Sequence, residues 1–298
     1  MSTLRYAVRH ETRYRYDREV AHSHQLLHLI PRDSPRQACL EHSLSIDPSP
    51  AVRTEHVDAF GNRVTRVELD RPHEELSVQA EMLVSLQPPP EAALEQAESW
   101  ESVRDGLSYQ SQPRQPDWLE AMRFRGESPF VRVKRLFSDF AHDCLLPGHS
   151  VLEVADCLMA KVHAEFTYAP GETEIATPLL EVLRTRRGVC QDYAHFMIAC
   201  LRSAGLAARY VSGYLRTHAP GLIGADASHA WVAVFAPPFG WVEFDPTNNL
   251  RVRQEHVTLA WGRDFGDVSP LRGVILGGGT HSLEVRVQVR PLPVPASG

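Results

Sequence analysis

Among the five cysteines of this 298-residue chain, Cys190 is set apart by its position. The run Arg187-Gly188-Val189-Cys190-Gln191-Asp192-Tyr193-Ala194-His195 continues through apolar positions to Gly205, which predicts a helix opening near Cys190 and stopping at that glycine. A thiol on the first turn lies among unpaired backbone N–H groups at the positive end of the helix dipole. Both favour thiolate, and the same N–H groups can hold a tetrahedral oxyanion. The chemistry implied is nucleophilic attack on a carbonyl.

Such a thiolate needs a base. His195 is five residues on, about 140° round the helix, and points away. The alternative is His229, in Asp226-Ala227-Ser228-His229-Ala230-Trp231-Val232-Ala233-Val234-Phe235, an alternating strand. A Pro237-Pro238-Phe239-Gly240 turn leads into a second strand, Trp241-Val242-Glu243-Phe244-Asp245. By the pleat, His229, Trp231 and Ala233 share one face, and Trp241, Glu243 and Asp245 share one face of the returning strand. A hairpin centred on Pro237 puts His229 directly opposite Asp245, a carboxylate able to fix the tautomer of the imidazole. A slip of one residue would separate them.

Other side chains near this set have plainer readings beside functional ones. Trp231 shares the His229 face and either shields the site or simply packs in the core. Tyr168, in the loop before the helix, and Gln191 are candidates to hydrogen-bond the oxyanion. Asp192 is expected to cap the helix. Arg184, Arg186 and Arg187 read as a solvated basic face that can also favour thiolate. His22 and His24 share a strand face but lack companions at ligand spacing, so no metal and no cofactor is expected.

The elements that must position these residues follow from periodicity. Residues 1–88 alternate repeatedly, as in Val64-Thr65-Arg66-Val67-Glu68-Leu69, with turns at Asp47-Pro48-Ser49-Pro50 and Phe60-Gly61-Asn62, and predict a β-rich, sandwich-like N-terminal domain. Residues 89–127 read as a connector and 128–270 as the catalytic core, with helical spacing over Phe130 to Phe140. Ser150 and Glu153 form a capping-box signature for a helix to about Ala164, and Thr177-Pro178 starts another. Residues 271–298 form a C-terminal strand segment.

Composition sets the outer limits. A hydrophobic share of 43% with 23% charged residues fits a globular chain with a sizeable core. The net charge of −6 offers no field for nucleic acid or an anionic membrane. No apolar run approaches the roughly 18 residues of a membrane helix, and the N-terminus lacks a leader pattern. Cys39, Cys144, Cys157, Cys190 and Cys200 are dispersed and odd in number, which suggests free thiols in a reducing compartment, hence a cytoplasmic setting.

Three blocks, Gly188 to His195, Asp226 to Trp231 and Gly240 to Asn248, resemble the catalytic blocks of bacterial transglutaminase-like proteins, in the same order of Cys, His and Asp. Trp261 to Pro270 and Gly277-Gly278-Gly279-Thr280-His281 resemble that family's C-terminal signature, and residues 1–88 its β-rich N-terminal region. The resemblance implies an α+β, papain-like core in which a helix carrying Cys190 packs on an antiparallel sheet carrying His229 and Asp245. It also implies a thiol enzyme acting through a thioester on peptide bonds or glutamine carboxamides, with a protein or peptide as substrate; the resemblance leaves the acceptor open between water and an amine, and hydrolysis is the expectation favoured over amine transfer. The alternatives are a catalytically silent protein-binding scaffold and an acyltransferase of the arylamine-acetyltransferase type.

Overall fold

The computed structural model describes residues 3–90, 92–108, 115–217, 222–224 and 227–293. The N-terminal region folds as strands β1 (Leu4–Leu27), β2 (Gln37–Asp47), β3 (Val52–Val57), β4 (Arg63–Leu69) and β5 (His73–Leu86). Their alternation is the cause: in β1, Tyr6, Val8, His10 and Thr12 turn inward while their neighbours face out. The path from residue 89 includes the short helices α1 (Trp100–Gly106) and α2 (Pro116–Met122).

The core begins with α3 (Arg135–Phe140). The helical spacing expected from Phe130 becomes helix only from Arg135, because the backbone N–H groups of Phe130 and Val133 are taken by the carboxylates of Asp264 and Glu127. Helix α4 (Val151–Glu165) opens on the expected capping box between Ser150 and Glu153. Then come β6 (Thr167–Tyr168), α5 (Leu179–Thr185), β7 (Arg187–Gly188) and α6 (Cys190–Ser203), whose buried face includes Phe196, Met197 and Ile198. The strands β8 (Ala208–Leu215), β9 (His229–Phe235), β10 (Trp241–Asp245), β11 (Leu250–Arg251) and β12 (His256–Gly262) form an antiparallel sheet in the order β11-β10-β9-β8-β12, with α6 packed on β9 and β8. This is the α+β core in which a cysteine-bearing helix lies on an antiparallel sheet.

After α7 (Phe265–Val268), strands β13 (Leu271–Gly277) and β14 (His281–Leu292) return to pair with β1, so the two ends of the chain share one seven-stranded antiparallel sheet. The N-terminal region is tied to the core by polar contacts: in β1, His10 Nδ1 lies 2.9 Å from the buried Tyr214 Oη, and after β1 the Arg32 guanidinium stacks 3.3 Å over Trp261.

The cysteines depart from expectation. Cys144 and Cys157 form a disulfide, leaving Cys39, Cys190 and Cys200 free. The turn before Ser150 folds α4 back on the preceding segment and brings the two Cα atoms to 5.5 Å, within bonding range. A count of dispersed cysteines does not reveal that fold-back.

Candidate active site

Cys190 is the first residue of α6, and Val189 before it is extended. Asp192 holds that opening turn in place. Its Oδ2 accepts from the Val189 N–H at 2.8 Å and from Thr173 Oγ1 at 2.7 Å, so it acts as a cap rather than a second acid. Burial pushes its pKa up, with the two hydrogen bonds acting in the opposite sense. The thiol of Cys190 is half-buried and therefore reachable.

His229 opens β9 and Asp245 closes β10. The hairpin pairs Trp241 with Phe235 through to Phe244 with Val232, so its centre is Pro238 rather than Pro237. The turn is closed by Ala236 N–H donating to Gly240 O at 2.7 Å. Continued by one residue, this register sets Asp245 opposite Trp231, diagonal to His229 instead of facing it. A two-residue offset keeps both side chains on one face. His229 Nε2 donates to Asp245 Oδ2 at 2.8 Å, with both side chains at 0% exposure.

This contact fixes the tautomer. An ionised carboxylate only accepts, so Nε2 carries a proton and Nδ1 is the nitrogen left to exchange one with the thiol. Nδ1 is buried and makes no hydrogen bond of normal length. The Cys190 sulfur is nonetheless near enough to pull His229 toward its charged form. Contacts of this kind are often long before substrate arrives. Burial acts to lower the pKa of His229, and the charge and hydrogen bond of Asp245, together with Cys190, outweigh it, so the net direction is up. For Asp245 burial acts upward and the surrounding histidines prevail, holding the carboxyl well below the usual range.

Asp245 has further partners. Oδ2 also accepts from Asn248 Nδ2 at 2.7 Å and His256 Nε2 at 3.1 Å, while Oδ1 takes the backbone N–H groups of Thr247 and Asn248 at 3.0 and 3.1 Å. His229, Asp245 and His256 are all of metal-ligating type, but their facing atoms are already spent on one another, and the set forms a hydrogen-bond relay. No local pattern in the sequence marks His256. Asn248 lay inside the Asp245-Pro246-Thr247-Asn248 block, where a side chain three residues from an aspartate signals a local Asx-type turn.

The remaining candidates fall around this set. Tyr168 is half-buried, and its strand β6 lies parallel to β7 with Tyr168 level with Gly188. Burial and nearby Cys190 push its pKa up to about 12. Gln191 extends toward the neighbouring loop, donating to Ile175 O at 3.2 Å. Trp231 is wholly buried and packs behind the imidazole, ring centroids 6.1 Å apart, so it backs the site instead of facing solvent. His195 is structural: Phe265 N–H donates to its Nε2 at 3.1 Å, and burial lowers its pKa to about 3. Arg186 and Arg187 pair with Glu165 and Glu172. Asp226 and residues 218–221 and 225 of the loop before β9 lie outside the described residues.

Comparison with known proteins identifies the family and the fold. Residues 6–85 match the model of the bacterial transglutaminase-like N-terminal region, and residues 138–246 that of the transglutaminase-like superfamily. An uncharacterized protein of Mycobacterium tuberculosis is 39% identical over 97% of this chain and 93% of its own length. One from Mycobacterium leprae is 31% identical over 97% and 99%. A protein-glutamine gamma-glutamyltransferase of Pseudomonas aeruginosa is 41% identical across a short stretch, 21% of this chain and 10% of that protein. Among solved structures, a "Putative Cysteine Protease" from Cytophaga hutchinsonii has the same fold, with a TM-score of 0.77 at 19% identity over 100% of this chain and 93% of its own.

Proposed function

Because this chain belongs to the transglutaminase-like superfamily, we propose that it is a thiol enzyme acting on amide bonds of a protein or peptide substrate. In this reading Cys190 Sγ attacks the carbonyl carbon, and backbone N–H groups at the start of α6, with Tyr168 nearby, hold the oxyanion. His229 carries the thiol proton to the departing nitrogen, the C–N bond breaks, and a thioester remains. Water then attacks, its proton passing to His229, and Cys190 leaves as thiolate. One observation supports the reading above all others: a wholly buried carboxylate fixes His229 with a bare Nδ1 beside a reachable thiol.

Hydrolysis is the simpler assignment, because water needs no site of its own whereas an acceptor amine does. The exposure of Cys190 favours an enzyme over a silent scaffold, which an occluded thiol would have suggested. The Cys144–Cys157 disulfide weighs against the reducing cytoplasm as its setting, where such bonds are rare. Among the described residues no helix is long and apolar enough to cross a membrane. The decisive experiment incubates the protein with a peptide library, with and without an added amine, and reads products by mass spectrometry against Cys190→Ala. Cleaved or deamidated peptides establish hydrolysis, amine adducts establish transfer, and products indistinguishable from the blank sink the reading.

A further inference from the structure

We propose that His256 is a second positioning histidine of this site, its Nε2–H holding the Asp245 carboxylate in the orientation that meets His229. The inference rests on the reading of Cys190 and His229 given above.

The argument begins with a buried charge. Asp245 is 0% exposed, and an ionised carboxylate out of water persists only when its oxygens are filled by donors. Two imidazoles do this from separate elements, His229 from β9 at 2.8 Å and His256 from β12 at 3.1 Å, both onto Oδ2. Held from two sides, and by Asn248 from a third, the carboxylate cannot rotate about its own bond without breaking a contact.

The His256 ring makes no other hydrogen bond among the described residues. The side chain is 1% exposed, meets Trp231 edge-on with centroids 5.1 Å apart, and leaves its Nδ1 buried without a partner. An apolar ring would fill this space and leave no nitrogen unpaired, so packing alone does not ask for histidine. What histidine adds is one N–H aimed at the acid that steers the base. With Nδ1 unpartnered and Nε2 facing a carboxylate, Nε2 is the nitrogen that carries the donated proton. The other titratable groups facing the Cys190–His229 pair are Tyr168 and Tyr210, both raised by burial and so uncharged near neutrality, and the capping Asp192.

The test reads the thiol and needs no substrate. Full-length protein is treated with iodoacetamide at pH 6 and across a pH series, and modification is followed on the Cys190 peptide by mass spectrometry. Wild-type protein should react readily at pH 6, and His229→Ala should abolish that advantage. His256→Phe should slow the reaction at pH 6 by about tenfold, the scale on which outer partners act, in protein that circular dichroism shows to be folded. His256→Gln, whose amide reaches the Nε2 position, should restore most of the rate. His256→Asn carries the same amide one bond shorter and should not, a contrast that keeps the test open if the Phe variant does not fold. A folded Phe or Asn variant reacting at the wild-type rate overturns the role of His256 alone. Wild-type protein reacting no faster than His229→Ala overturns the underlying reading, and this one with it.

Discussion

Asp245 and His229 meet on a diagonal of the β9–β10 hairpin, joined by a 2.8 Å hydrogen bond and wholly removed from water. A diagonal contact lets the carboxylate approach Nε2 from beyond the strand end, where Thr247 and Asn248 turn their backbone N–H groups onto its other oxygen. The imidazole is thereby held by a group that is itself anchored, and Nδ1 is left to Cys190.

Replacing that carboxylate by an amide tests the tautomer directly. The amide introduced by Asp245→Asn can offer an N–H to His229 Nε2, which would drive the imidazole proton to Nδ1 and remove the base from the thiol. The substitution is expected to lower kcat/KM by about 10³-fold or more, on the pattern of Ser-His-Asp enzymes, while circular dichroism shows an intact fold. A loss below about tenfold would mean that the carboxylate does not set the tautomer.

The same pair makes stability depend on pH, and the signs are separate. His229 is held above its ordinary value of 6.5, so it binds its proton more tightly when folded. Its contribution is complete below pH 6.5 and is lost as pH rises through the folded value. Asp245 is held below its ordinary 3.8, so its contribution is present above that pH and is lost as pH falls through the folded value. The excess melting temperature of wild type over Asp245→Asn should therefore be greatest between pH 3.8 and 6.5 and shrink on the alkaline side. Calorimetry at pH 5, 7 and 9 reads this, and a difference that grows with pH contradicts the raised imidazole.

Much of this arrangement was legible in the chain because each part is local. The start of α6 is signalled by the residues around Cys190, the Ser150–Glu153 cap by a four-residue pattern, and the shared face of His229 and Asp245 by the pleat. The hairpin centre moved by one residue because the Pro237-Pro238 turn closes between Ala236 and Gly240, and the pairing survived because the resulting offset is even. His256 was beyond such reasoning. The sheet order puts β9 and β8 between its strand and that of Asp245. The approach also depends on Gly213 of β8, where a Cβ would lie 2.4 Å from the Trp231 ring packed beside His256. The return of β13 and β14 to β1 and the Cys144–Cys157 bond are likewise long-range facts with no local signature.

Asp192 separates positioning of the nucleophile from its activation. Its carboxylate caps the opening turn of α6 and ties Thr173 of the preceding loop to it. Asp192→Ala should cost about 1–2 kcal/mol, the usual value of a lost cap, seen as a melting temperature lower by about 2–8 °C for a chain of this size. Alkylation of Cys190 should persist in the folded variant, because His229 and Asp245 are untouched. Loss of the reactive thiol without loss of stability would instead assign Asp192 to the chemistry.

Gly224 guards the face of His229 that must receive the proton. Its φ of +91° lies in the left-handed region, and a Cβ there would sit 2.7 Å from His229 Nδ1. The loop cannot simply retreat, since Asn248 grips the residue before it, accepting from Ile223 N–H at 2.7 Å and donating to Ile223 O at 3.3 Å while also holding Asp245. Gly224→Ala must either push the imidazole aside or place a methyl group between Nδ1 and the sulfur. A displacement of about 1 Å at such a site costs about 10²-fold, so kcat/KM and the pH 6 alkylation rate should fall by that order. Gly224 itself is only half-buried, so melting temperature should change far less than activity. If activity survives in Gly224→Ala but falls in Asn248→Ala, the loop moves away from His229 with little resistance, and Asn248 serves Asp245 alone.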